Sequence, residues 1–143
     1  MIENTKPSDS RRDAFLDIAE ELFAKLGYEK TSIGRLISSL GVSKGAFYHY
    51  FQSKSDLLDS VLDRMLLRAE SLLTEIVTSQ TSPIEKLKQV LASFENLRSV
   101  NRNLTIQIGE LLLNDANAVL TNRHRREARR RFVPVLTYII ELG

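Results

Sequence analysis

The sequence predicts an all-α protein. Three observations carry that reading: apolar residues recur at helical spacing along most of the chain, Ser, Thr, Gly and Pro fall where helices would start and stop, and no stretch alternates apolar and polar residues as a half-buried strand would. A length of 143 residues suits one domain or two small ones, and 43% apolar with 27% charged residues is the balance of a globular chain able to bury a core.

Residues 1–9 are polar and carry both charge signs, so they read as a disordered arm. A first helix is expected over about 10–26, with Ser10 as N-cap, Asp13 at the capping-box position, Phe15, Ile18, Ala19, Leu22, Phe23 and Leu26 on its apolar face, and Gly27 ending it. Thr31 and Ser32 offer the next cap, and a short helix over 32–40 buries Ile33, Leu36, Ile37 and Leu40 before Gly41 stops it. Val42 alone separates Gly41 from Ser43, which caps a very short third helix over 44–50. Ser53 with Asp56 starts a long fourth helix over about 54–78. The polar run TSQTSP, Thr78 to Pro83, breaks the pattern. Helices follow over about 83–100, 102–114 and 116–142, the last with Pro134 inside it, where a kink is expected. The domains expected are 10–58 and 54–143.

Several classes of function are set aside by composition. There is no cysteine, so disulfides and thiolate metal sites do not arise. No stretch approaches the ~18 uninterrupted apolar residues of a membrane span, and the polar start is no signal peptide, so a cytoplasmic location is the expectation. There is no phosphate-cradling glycine loop, no nucleophile elbow and no pair of zinc-spaced histidines; neither an enzyme nor a bound cofactor is expected. The net charge of +2 is uninformative, but from Lys30 to Lys54 the chain carries Lys30, Arg35, Lys44 and Lys54 and no acidic residue. A local positive strip of this kind is what contact with a phosphate backbone needs.

That strip coincides with Thr31 to Phe51 (TSIGRLISSLGVSKGAFYHYF), which has the grammar of a helix-turn-helix: two short helices joined by a tight turn. Gly41 supplies the positive φ, Val42 closes the turn over the core, and Ser43 caps the second helix. The two small residues Gly45 and Ala46 let that helix sit close to base edges, and Lys44 is the long donor beside them, suited to guanine O6 and N7 or to a phosphate. Tyr48, His49 and Tyr50 can donate to phosphate oxygens, while Phe47 and Phe51, four apart, are expected in the core.

Residues 10–58 resemble the DNA-binding domain of the TetR family of bacterial transcriptional regulators. The matching residues are Ala19, Leu22 and Phe23, then Gly27-Tyr28 and Thr31, then Gly41-Val42-Ser43-Lys44-Gly45, Tyr48-His49-Tyr50-Phe51, Ser53-Lys54 and Leu57-Leu58. The resemblance implies a three-helix, homeodomain-like helix-turn-helix domain joined by a long helix to a second helical ligand-binding and dimerisation domain. It also implies phosphate contacts by Thr31, Tyr48, Tyr50 and Lys54 and groove contacts by Lys44, Gly45, Tyr48 and His49. Ala46 stands where the family often has a hydroxyl residue, and Ile37 replaces a small residue common on helix 2. The remainder, from Leu58, resembles the family in layout only. Members normally continue with about two more helices, so the regulatory domain is expected to be incomplete at its C-terminus, with a homodimer forming where the full C-terminus is present.

Polar and bulky residues on the later helices are the candidates for a ligand pocket: Met65, Phe94, Arg98, Gln107, Glu110 and Tyr138, with Asn101 beside them. The run from Arg123 to Arg131 holds six arginines, His124 and one acid, Glu127. It reads as the solvated face of the last helix, with an anionic-ligand or second nucleic-acid site as the alternative. The function expected is a sequence-specific DNA-binding transcriptional regulator, a ligand-responsive repressor acting as a dimer on palindromic double-stranded operator DNA. The rival is a helical protein-interaction domain, or an inactive fragment, that keeps the fold without operator binding.

Overall fold

The computed structural model describes residues 7–100, 102–114 and 118–143, with the side chains of 7–9, 97–100 and 120 left aside. Seven helices follow one another in the described residues: α1 (Pro7–Leu26), α2 (Ile33–Leu40), α3 (Lys44–Tyr50), α4 (Lys54–Thr78), α5 (Pro83–Val100), α6 (Arg102–Leu113) and α7 (Ala118–Glu141). They fall into two compact units, Met1–Val61 and Leu62–Gly143, with α4 continuous across the boundary.

Helix α1 begins three residues earlier than its sequence signals suggested. Ser10 is an exposed position inside the helix and not its cap. Proline is tolerated in a first turn because its missing N–H would find no intrahelical acceptor there, so Pro7 can open the helix. At the other end Gly27 takes φ 82°, and its N–H donates to the Phe23 carbonyl at 2.9 Å. The α2–α3 turn is built by Gly41 at φ 62°, ψ 34°. Gly41 N–H donates to Ser38 O (3.3 Å) and Val42 N–H to Ile37 O (3.1 Å), the paired bonds of a Schellman ending. At the start of α4 Ser53 is the cap: Asp56 N–H donates to Ser53 Oγ (3.0 Å), and the Asp56 carboxylate accepts from the N–H of Gln52, the residue before the cap (2.9 Å).

The first unit packs around aromatic rings. Phe15, Phe23, Phe47 and Phe51 are buried together with Leu16, Ala19, Leu36, Leu57, Leu58 and Val61. Phe15 meets Phe47 and Phe51 edge-on, with centroids 5.7 and 6.0 Å apart, geometry that favours aromatic pairs. Arg12 lies over the Phe51 ring at 5.4 Å and donates to Ser60 Oγ at 3.0 Å, tying α1 to the first turns of α4. In this unit α2 packs on α1 and on α3.

In the second unit α5 packs on α6 and α7, and α6 packs on α7. One end holds a cluster of Leu73, Ile76, Val90 and Ile139, with Phe132, Val135 and Leu136 against it. Lys86, buried, ends α4: its ammonium donates to Ile76 O (3.1 Å), Val77 O (2.8 Å) and Ser79 O (2.5 Å), carbonyls that a helix terminus leaves without intrahelical partners. Helix α7 is continuous through Pro134. Among the described residues no helix is long and apolar enough to cross a membrane.

Candidate functional site

Helix α3 is seated on the aromatic core by Phe47, with Ala46 and Tyr50 half-buried beside it, and exposes its other residues. Phe47 is buried, and Ser43, Lys44, Gly45, Tyr48 and His49 are exposed. Ser43 caps the helix, its Oγ accepting from Ala46 N–H at 3.2 Å. Tyr48 is 48% exposed yet fixed, its ring standing perpendicular to Phe47 at 5.2 Å with Lys44 Nζ 6.0 Å from its centre. His49 stacks edge-on against Tyr50 at 4.8 Å, and Tyr50 is half-buried beside Phe15.

Gly45 is informative. Glycine inside a helix costs about 1 kcal/mol relative to alanine, yet a Cβ at Gly45 would meet only Ser43 Oγ at 3.8 Å, an ordinary contact. Gly34, exposed in the first turn of α2, is alike: a Cβ there would meet only Ser32 Oγ at 3.7 Å. Neither glycine is required by intramolecular packing. Both leave a bare helical surface toward the outside.

Thr31 is placed differently from expectation. Thr31 is fully buried, and its hydroxyl points at Gly27 O (2.8 Å) and Leu22 O (3.3 Å), where it satisfies carbonyls at the end of α1. It is therefore neither the cap of α2 nor a side chain presented to a phosphate. Ser32 is the cap of α2: it is exposed, and its Oγ accepts from Arg35 N–H at 3.2 Å. Lys54 donates to Tyr28 O at 2.9 Å and lies 4.2 Å from the centre of the Tyr28 ring, so its charge is held in place. Burial, with Glu29 and Asp59 adding to it, pushes the Tyr28 phenol up from its ordinary value of 10.0 and keeps that group neutral. Ser32, Gly34, Lys44, Tyr48 and Lys54 line one shallow concavity of about 500 Å³ that joins the start of α2 to the exposed face of α3. Ser32 and Gly34 were the residues missed. Their only signal in the sequence is position, directly before and inside the first turn of α2.

The second unit contains a cavity of about 490 Å³. Met65 and Phe94 line it, as do Leu104 and Ile108. Gln107, Glu110 and Tyr138 do not: Glu110 and Tyr138 are exposed, Gln107 is half-buried elsewhere, and the Arg98 side chain and Asn101 lie outside the described residues. The polar wall comes instead from Arg68, Thr105, His124 and Arg125. Three arginines of the basic run are engaged with acids. Arg123 pairs with Asp63 (3.3 Å), Arg130 with Glu127 (2.7 Å), and Arg131 with both Glu127 (2.7 Å) and Glu70 (2.5 Å). The hydrogen bonds from Arg130 and Arg131 lower the Glu127 carboxyl to about 2.

A capped pair of short helices around a left-handed glycine, carrying an exposed face over an aromatic base, defines a helix-turn-helix module of the DNA-binding type. Residues 15–61 match the family model described as bacterial regulatory proteins, tetR family. The chain is similar to the HTH-type transcriptional repressor KstR2 of Mycolicibacterium smegmatis, 34% identical over 98 residues, covering 68% of this chain and 48% of that protein. With KstR2 of Mycobacterium tuberculosis it is 28% identical over 138 residues, covering 94% of this chain and 69% of that one. The fold is shared with the fatty acid degradation regulator FadR of Bacillus halodurans, with a TM-score of 0.80 at 22% identity over 97% of this chain and 69% of the other. The chain thus spans between about half and two thirds of the length of these relatives.

Proposed function

We propose that this protein is a sequence-specific DNA-binding transcriptional regulator, a cytoplasmic repressor that acts as a dimer on a palindromic operator and responds to a small molecule. The observation that carries the reading is the exposed α3 face, where Lys44, Gly45, Tyr48 and His49 stand over a buried Phe47. Lys44 reads a base edge or a neighbouring phosphate, Gly45 allows close approach, and Tyr48 and His49 donate to the backbone. Tyr50 and Lys54 donate to neighbouring phosphates, Ser43 caps the helix, and the exposed Ser32 meets the phosphate in place of the buried Thr31. The run without acid between Lys30 and Lys54 favours a nucleic-acid partner over the protein-interaction rival.

The cavity in the second unit is the effector site of this reading. An effector releases DNA only if it binds the non-binding arrangement of the dimer more tightly than the binding one. The relatives named as repressors support the direction of regulation. A mobility-shift assay on the DNA flanking the protein's own gene tests the reading. A shift that is specific and weakens with salt is expected, and a shift that is absent or indifferent to sequence would sink it. Tyr48→Phe should weaken binding to all sequences, whereas Lys44→Ala should also relax preference at one base position.

A further inference from the structure

The turn between α1 and α2 is held from inside. Gly27 ends α1 at φ 82°, the Thr31 N–H donates to Tyr28 O at 3.2 Å, and the buried Thr31 hydroxyl donates to Gly27 O at 2.8 Å. The Tyr28 ring, half-buried, stands edge-on to Phe23 with centroids 5.4 Å apart. A side chain from 26 residues further along the chain reaches this turn. Lys54 Nζ donates to Tyr28 O at 2.9 Å, makes a longer contact with Glu29 O at 3.5 Å, and lies 4.2 Å from the centre of the Tyr28 ring.

The α4 backbone gives no reason for a cation here. Lys54 is the first residue of α4, where the positive end of the helix dipole disfavours a positive charge. The groups that hold the ammonium are neutral: one ring face and two carbonyls. Burial keeps the Tyr28 phenol protonated. Such groups fix a cation through their dipoles and quadrupole without cancelling its charge, as a carboxylate partner does. An ammonium has three N–H groups, so two carbonyls leave one for a further acceptor. Lys54 lines the shallow concavity together with Ser32, Lys44 and Tyr48. Glu29 lines it too, and its carboxylate opposes a phosphate there. Against that repulsion, a cation already fixed at the rim binds a phosphate better than a lysine that must first be ordered, because its rotamer freedom is lost on folding and not on binding.

We propose that Tyr28 is a positioning residue for DNA binding: its ring face and its carbonyl hold the Lys54 ammonium at the rim of the concavity, where it meets a backbone phosphate. Tyr28 touches no DNA itself and acts through Lys54. The role rests on the DNA-binding reading above.

Mobility shifts with the duplex flanking the protein's own gene, run from about 50 to about 200 mM salt, test the role in a double-variant cycle. Lys54→Met should weaken binding and lower the slope of log affinity against log salt by about one. Tyr28→Phe keeps the ring and the carbonyl and should bind as the native chain does. Tyr28→Leu should weaken binding about threefold or more, and should weaken it no further when Lys54→Met is already present. Tyr28→Met, which keeps bulk and loses the ring, takes its place if the leucine variant unfolds. In the free native chain the ring should shift the Lys54 ε-methylene protons upfield in the NMR spectrum, and the shift should vanish in either variant without the ring. A loss from Tyr28→Leu that is equal with and without Lys54 marks a merely structural residue and overturns the role. So does native-like binding by Tyr28→Leu, an equal loss in Tyr28→Phe, or Lys54 protons at ordinary positions in the native chain. An unchanged salt slope in Lys54→Met overturns the phosphate contact of Lys54 and the role of Tyr28 with it, while DNA binding itself stands. A native chain that gives no specific shift overturns the DNA-binding reading and everything that rests on it.

Discussion

The two units of this chain use similar helices to opposite ends. In the first, the interior is filled. Phe15, Phe23, Phe47 and Phe51 are each at or below 1% exposure, and α1 and the two short capped helices α2 and α3 close around them. In the second, Leu73, Ile76, Val90 and Ile139 pack into one cluster, while Leu62, Leu104 and Ile108, buried as well, border a cavity. A small rigid body that presents a fixed face has no use for internal space. A body that admits a molecule has to leave some; here the Lys86 ammonium ties off the end of α4 and the Arg131–Glu70 ion pair joins α4 to α7.

Truncating the filled core gives the largest expected effect. Phe47→Ala removes the ring on which α3 rests and should cost about 3–5 kcal/mol, enough to unfold much of the first unit. Chemical denaturation followed by circular dichroism measures it. A cost below about 1 kcal/mol would mean that the site relaxes and that the filled interior is not what fixes α3. Enlarging a side chain should then separate the units. Ala19, fully buried in the first, has no room, and Ala19→Leu should cost about 1–3 kcal/mol. Ala128 lines the cavity, and Ala128→Leu should be neutral or stabilising by about 0.5–2 kcal/mol while reducing ligand binding. Equal losses at the two positions would remove the contrast between filled and hollow units.

The same contrast governs what could be read from the chain before its structure. The α2–turn–α3 grammar is local: Ser43 must bond Ala46 three residues away, and Gly41 must take positive φ whatever packs above it. Such features were legible, and so were Phe47 and Phe51 as core. The choice between Thr31 and Ser32 was not. Which of two adjacent hydroxyls turns inward depends on the carbonyl of Leu22, nine residues back, at the end of another helix. The cavity was hidden for the same reason at longer range. Met65 and Phe94 were found by their bulk, but Arg68, His124 and Arg125 line the space only because α4 and α7 pair at a separation of about 60 residues. Gln107, Glu110 and Tyr138 interrupt apolar stretches, and such interruptions mark a helix face turned away from the cavity at least as readily as a pocket wall.

A smaller effect distinguishes a surface kept bare for a partner from one kept bare by packing. Gly45→Ala should raise the thermal stability of the first unit by about 0.5–1 kcal/mol, since the added methyl meets nothing closer than Ser43 Oγ and relieves the entropic cost of a helical glycine. The same change should weaken operator binding in the mobility shift, because the methyl stands where α3 approaches the groove. Gly34→Ala should behave alike, since the proposed phosphate contact lies at the start of α2. Gains in stability with unaltered DNA binding at both positions would mean that these bare turns do not touch DNA.

The smallest expected effect lies in the second unit and depends on pH. The Glu127 carboxyl accepts from Arg130 and from Arg131, and these bonds bring it from 4.5 to about 2. A folded-state value below the unfolded one means that the charged form is favoured by folding. The stabilisation is therefore fully present above pH 4.5 and is lost as the pH falls from there toward 2. Because solvent screens such surface pairs, the effect should be modest and should shrink in high salt. Other carboxylates titrate in the same range, so the informative quantity is the difference in unfolding temperature between the native chain and Glu127→Gln. That difference should be constant from neutral pH down to about 4.5 and then close as the native carboxylate takes up its proton. A gap that stays constant down to the lowest pH at which the protein remains folded would mean that the Glu127 pairs with Arg130 and Arg131 are not what holds that carboxyl low.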